Sequence, residues 1–119
     1  MNKNLYEYNF ANYEGKIEVN EFLNSLDVKE QAKIIAYMDK LVELLNINQF
    51  PNEKLSKYLR DGVFELRVKL KNTSSRILYF FMVDKNIIFT HGFIKKTEKT
   101  PVPEIEKAIR IKEYYRSQK

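Results

Sequence analysis

The sequence contains no cysteine, no tryptophan, one histidine, three glycines and three prolines in 119 residues. Without thiols there are no disulfides and no thiolate metal sites, and nothing ties the chain to an oxidising compartment. A single imidazole leaves carboxylates to build any metal centre, and no carboxylate cluster occurs at ligand spacing, so neither a metal nor a cofactor is expected. A glycine-rich phosphate loop and a serine nucleophile elbow are both missing. No apolar run approaches a bilayer span, and the opening MNKNLYEYNF lacks the apolar stretch of a signal peptide. The expected location is the cytoplasm.

What the chain does have is ordinary globular composition and an uneven charge. Apolar residues make up 44% and charged residues 31%, with a net charge of +5. That places the chain among folded domains, and residues 1–119 are expected to form one. Residues 1–53 carry five Lys/Arg against nine Asp/Glu, whereas residues 54–119 carry sixteen against seven. A basic C-terminal half suits a polyanionic partner, although lysine is also a common surface residue.

Periodicity supplies the elements. Residues 6–10 alternate Tyr6, Tyr8 and Phe10 against Glu7 and Asn9, a short strand. Val19, Phe22, Leu23 and Leu26 fall at helical spacing, predicting a helix over 17–26. Asp27, with Glu30 three residues on, begins a second helix over 28–46 whose broad apolar stripe implies packing on both a sheet and a neighbouring helix. Residues 46–53 break it. Residues 54–59 read as an extended approach with Leu55 and Leu59 inward, and Arg60-Asp61-Gly62 as a turn.

Residues 63–70 alternate strictly: Phe64, Leu66, Val68 and Leu70 on one face, Glu65, Arg67 and Lys69 on the other. Residues 77–83 are apolar on both faces, as in a covered central strand. Residues 87–93 form a last strand in which Ile87, Phe89, His91 and Phe93 share one face. Thr100 before Pro101 reads as the N-cap of a helix over 104–116. The order β-α-α-β-β-β-α predicts an α+β fold: a small antiparallel sheet, mixed through its N-terminal strand, with helices mainly on one face.

Three groupings carry possible chemistry. Glu65, Arg67 and Lys69, with Arg76 opening the next strand, can form a cationic patch that clamps a phosphate; a plain solvated strand face has the same pattern. His91 is the one side chain that titrates near neutrality and can act as acid or base, yet its apolar neighbours equally suit a structural histidine. Lys95, Lys96 and Lys99 lie at a strand-to-helix junction where backbone phosphate can be gripped. The aromatics Tyr58, Tyr79, Phe80, Phe81, Tyr114 and Tyr115 can stack bases if exposed, and fill a core if not.

The segments KYLRDGVFELR (57–67), RILYFF (76–81) and HGFIKKTEKTPVPEIEKA (91–108), together with EFLNSL and the long helix after it, resemble the phage-derived, HigB-like branch of the RelE/ParE toxin superfamily. The resemblance covers nearly the whole chain. It implies a small α+β toxin of a type II toxin–antitoxin pair and metal-independent mRNA endonuclease activity, commonly on the ribosome. It also implies a helix-turn-helix antitoxin as partner.

By this resemblance Arg76 matches the basic residue that contacts the scissile phosphate, Arg67 a basic residue on the same concave face, and Lys95 and Lys96 the basic pair after the last strand. Lys54, Lys57, Lys69, Lys71, Lys95 and Lys99 are the expected RNA contacts. Some relatives carry a catalytic tyrosine near the last helix, where this chain has Val102 to Ile105. His91, Glu65 and Lys96 are therefore the remaining candidates for proton transfer. A toxin-fold protein without nuclease activity, directed at gyrase or another protein or acting as a regulatory partner, is the second expectation. A structural accessory domain is the third.

Overall fold

The period-two run and the long helical stripe read from the sequence meet face to face. In the computed structural model, which describes residues 5–118, the chain runs β1 (Glu7–Phe10), α1 (Glu18–Asn24), α2 (Val28–Asn46), β2 (Ser56–Arg60), β3 (Val63–Lys69), β4 (Ser74–Met82), β5 (Asn86–Lys95) and α3 (Val102–Ser117). The five strands form one sheet in the order β1-β5-β4-β3-β2. β2 to β5 make an antiparallel meander, and β1 adds to β5 in parallel, so the sheet is mixed and the class is α+β as expected.

α2 starts where its cap residue places it: the Asp27 carboxylate accepts from the Glu30 N–H at 2.8 Å. Its buried side chains Ile34, Met38, Leu41 and Leu45 join Val19 and Leu23 of α1 over Leu66, Val68, Ile77, Tyr79, Ile87 and Phe89 of the sheet. α3 covers the opposite face, with Ala108 against Val63 and Leu78, and Ile111 against Phe80 and Ile88. Two helices thus lie on one face and the third on the other. This is why β4 is apolar on both sides: Ile77 and Tyr79 face α1 and α2, while Leu78 and Phe80 face α3. Leu55 and Leu59 both turn inward, but to opposite faces. Among the described residues no helix is long and apolar enough to cross a membrane.

The turns follow backbone preference. The β2–β3 turn holds Asp61 and Gly62 at φ 53° and 81°, and the β4–β5 turn holds Asp84 and Lys85 at φ 62° and 59°. The first is a two-residue connection and the second a three-residue one, and each places two residues in the left-handed region. Strict alternation fails in β5. Leu78 pairs with His91, but Tyr79 pairs with Phe89, so Thr90 is an extra residue. The bulge moves His91 off the Ile87/Phe89 face predicted for it and onto the α3 face beside Phe93. A second departure lies at α3, which begins at Val102 with Pro101 in the capping position and no side-chain cap bond. Thr100, read from the sequence as the cap, has another partner.

Gly92 faces α1, where a Cβ would lie 2.5 Å from Cδ2 of the Phe22 ring. Only glycine lets the ring rest on the strand. Gly92→Ala is expected to cost about 1–3 kcal/mol by overpacking, read as a lower urea midpoint with an unchanged m-value. An unchanged midpoint would mean that Phe22 swings aside freely.

Candidate functional site

Cross-strand partners project to the same face, so register alone sets out the α3 face of the sheet in rows. Lys57, Glu65, Leu78 and His91 form the first, Arg67, Arg76 and Phe93 the second, and Lys69, Ser74 and Lys95 the third. The apolar side of α3 packs over Val63, Leu78, Phe80 and Ile88, with Phe93 of the second row against the same cluster, whereas the arginines and the third row take no part in these apolar clusters. The far end of this face is therefore basic, and the irregular segment 96–101 between β5 and α3 crosses beside it.

Glu65 lies at the centre and is only 1% exposed. Its Oε2 accepts from Arg67 Nε at 2.8 Å and lies 3.5 Å from Arg76 Nε. Its Oε1 accepts from the Thr100 hydroxyl. Arg67 also donates through Nη1 to the Glu53 carbonyl at 2.8 Å, which fixes its guanidinium at both ends. Arg76 is held differently. Nη1 donates to the Ser75 carbonyl at 3.0 Å, while Nε is buried with no hydrogen-bond partner.

The electrostatics follow. Burial pulls the Arg76 guanidinium below its ordinary pKa, Glu65 opposes that and Arg67 adds to it; arginine nevertheless stays protonated. Lys95 is also held below the usual lysine value, first by desolvation and then by repulsion from Arg76, with Glu65 and Glu98 opposing and Arg67 adding. One buried carboxylate thus faces three cations. An arrangement with surplus positive charge suits an anion that approaches from solvent. Among the described residues no group of three or more His, Asp or Glu side chains is placed to hold a metal ion.

His91 is 2% exposed. Its Nε2 lies 2.9 Å from Glu104 Oε1 and its Nδ1 2.9 Å from Thr90 Oγ1, and its ring stacks on Phe93 at 6.0 Å. Both nitrogens are engaged, and no hydrogen bond or ion pair joins His91 to Glu65, Arg67 or Arg76. Burial and then Lys107 push its pKa down, against Glu104 and Glu18.

The other sequence-predicted residues divide by place. Lys57 and Lys99 line a cavity of about 260 Å³ shared with Glu65, Arg67 and Thr100. Lys69 and Lys95 share the third row. Lys71 and Lys96 are exposed nearby, in the β3–β4 loop and just past β5. Lys54 is elsewhere, lining a separate groove of about 510 Å³ with Tyr37, Lys40 and Leu44 of α2. Tyr79, Phe80 and Phe89 are buried, leaving Tyr58 and Tyr114 as the exposed tyrosines of the groups considered for stacking. Thr100 was not among the predicted site residues, because its position before Pro101 has a sufficient local explanation as a cap.

Residues 21–113 match the family described as Phage derived protein Gp49-like (DUF891). The chain belongs to this family. The matched span contains Glu65, Arg67, Arg76, His91, Lys95 and Thr100, so the whole cluster lies inside it. Gp49-like proteins are a toxin–antitoxin-associated family, often toxin-like, which implies an antitoxin as partner. No curated protein matches the chain.

The depressed His91 pKa has a consequence for stability. Between the folded pKa and the ordinary value of 6.5, the unfolded chain binds a proton that the folded chain does not. Stability contributed by this site is therefore present above 6.5 and is lost as pH falls toward the folded pKa. In urea titrations from pH 7.5 down to 5.5, His91→Gln is expected to show a shallower loss of stability than the parent. Parallel curves would remove this account of His91.

Proposed function

We propose that this Gp49-like protein is the toxin of a type II toxin–antitoxin pair and that it cleaves mRNA, with the ribosome as the site of action. The observation that carries the reading is Arg76: a guanidinium held by Glu65 at 3.5 Å, opposite Arg67 and beside Lys95, in the basic rows of the α3 face. Such a group matches the oxygens of an RNA phosphate and the charge that develops when it is attacked.

In this reading the 2′-hydroxyl attacks the adjacent phosphorus. A 2′O–P bond forms, the P–5′O bond breaks, and a 2′,3′-cyclic phosphate and a 5′-hydroxyl result. Arg76 and Arg67 stabilise the phosphorane. Lys95, whose pKa is lowered, protonates the leaving 5′-oxygen, and the 2′-hydroxyl proton passes to water. Lys57, Lys69, Lys71, Lys96 and Lys99 hold the RNA backbone, so binding weakens steeply with salt. Glu65 serves to hold the arginines rather than to take a proton, since its oxygens are already hydrogen-bonded. The acceleration then comes mainly from orientation and charge stabilisation.

One observation favours a second reading, a toxin-fold protein directed at a protein target. Both His91 nitrogens and both Glu65 oxygens are engaged, which leaves neither group free as a base. Primer extension on mRNA after brief induction separates the two: discrete new 5′ ends mark the nuclease, and supercoiling defects mark a gyrase-directed protein. Arg76→Ala is expected to relieve growth arrest and to lower cleavage by about 100-fold or more, with thermal unfolding still cooperative. A folded Arg76→Ala protein that cleaves at the parental rate would falsify the nuclease reading.

A further inference from the structure

We propose that Thr100 is a positioning residue that sets the orientation of the Arg76 guanidinium by occupying Glu65. Its catalytic consequence rests on the nuclease reading; its geometric consequence does not.

Glu65 divides its two oxygens between different partners. A carboxylate has roughly four lone-pair sites and accepts bidentate hydrogen bonds from a guanidinium when it can. Two guanidiniums are within reach of Glu65, yet neither is bound in that forked way. Arg67 takes Oε2 through Nε at 2.8 Å. Arg76 Nε stays 3.5 Å from the same oxygen and has no hydrogen-bond partner. Oε1 is the oxygen left over, and the Thr100 hydroxyl donates to it.

A buried carboxylate oxygen deprived of its donor is costly, and the carboxyl group can relieve the cost by rotating about its last bond. The nearest unsatisfied donor is the Arg76 Nε–H. Loss of the Thr100 hydroxyl would therefore turn Glu65 toward Arg76 and close the gap. The guanidinium would then be drawn onto Glu65 and out of its present orientation. Thr100 thus acts on the phosphate through two other residues, without touching it.

Its location fits this role. Thr100 ends the irregular segment that carries Lys96 and Lys99 and lies next to Pro101, the residue that caps α3. Its hydroxyl is the group predicted to cap that helix. The helix begins without a side-chain cap, and the hydroxyl reaches Glu65 across 35 positions of sequence instead. The same bond pins the lysine-bearing segment to the edge of the cavity shared by Lys57, Glu65, Arg67 and Lys99.

The test compares Thr100→Val, which keeps the shape and removes the hydroxyl, with Thr100→Ser, which restores it. The first readout is the Arg76 Nε–H resonance in ¹H–¹⁵N spectra of the whole protein, assigned with Arg76→Lys. We expect a downfield shift in Thr100→Val, as for an N–H that gains a carboxylate partner, and a parental position in Thr100→Ser. The second readout is cleavage of mRNA in a cell-free translation reaction. We expect kcat about tenfold to 100-fold lower in Thr100→Val, KM changed far less, and recovery in Thr100→Ser.

An Arg76 Nε–H resonance that does not move in Thr100→Val overturns the proposal, whatever the rate. A resonance that moves with no change in kcat overturns the positioning role. Should the parental protein cleave no mRNA, the nuclease reading fails and the resonance alone decides whether Thr100 governs Arg76. A broad loss of dispersed signals in Thr100→Val would show a structural role and count against the proposal; Thr100→Cys then supplies a second shape-conserving variant for the same comparison.

Discussion

The register of the β3–β4 hairpin sets Arg67 directly opposite Arg76, and the site depends on Glu65 lying between them. Like charges facing each other across a strand pair repel, and more strongly where water is scarce. The pairing is nevertheless imposed from the other side of the sheet. Leu66 and Val68 must face α2 to be buried, and with a period of two that choice fixes where Glu65, Arg67 and Lys69 point. Glu65 makes the imposed arrangement tolerable. Removing it would leave two guanidiniums close together with no countercharge, the circumstance in which a broken buried pair costs most.

The rest of the face is arranged around that compromise. α3 covers the apolar part of it, Phe93 included, and the basic side chains lie beyond its apolar contacts. The segment from Lys96 to Pro101 returns from β5 to α3 along this boundary, with Thr100 fastened to Glu65. His91 belongs to the fastening of α3 rather than to the arginine cluster. It links β5 to Glu104 in the first turn of the helix, one turn before Lys107 binds Glu18 of α1. These polar ties hold a helix whose apolar stripe is narrow.

Much of the architecture is legible residue by residue. Asp27 marks the start of α2, Asp61-Gly62 marks a hairpin, and the alternation of residues 63–70 separates an α2 face from a charged one. Even the double-sided apolar character of β4 reads correctly as a strand covered on both sides. Three features escape. The bulge at Thr90 arises from pairing with β4, and it reverses the side on which His91 lies. The cap of α3 passes from Thr100 to Pro101 because the Thr100 hydroxyl is turned toward the buried Glu65 carboxylate, to which it donates, and accepts from no helix N–H. Lys54 falls by α2 because it lies in the turn before β2, outside the strand register that places Lys57 with Glu65.

The sequence by itself determined the element order, the α+β class and the presence of a basic strand face, since these rest on periodicity, local turn preference and charge count. The likeness of nearly the whole chain to a toxin superfamily agrees with the Gp49-like membership of residues 21–113 at the level of a toxin–antitoxin-associated family. Only the tertiary structure decided which charged side chains are buried together, which atoms of Glu65 each partner takes, and that Arg76 Nε is left without a hydrogen bond. Those outcomes come from contacts between strands and a distant segment, and they turn on angles and tenths of an ångström. No spacing along a single chain records them.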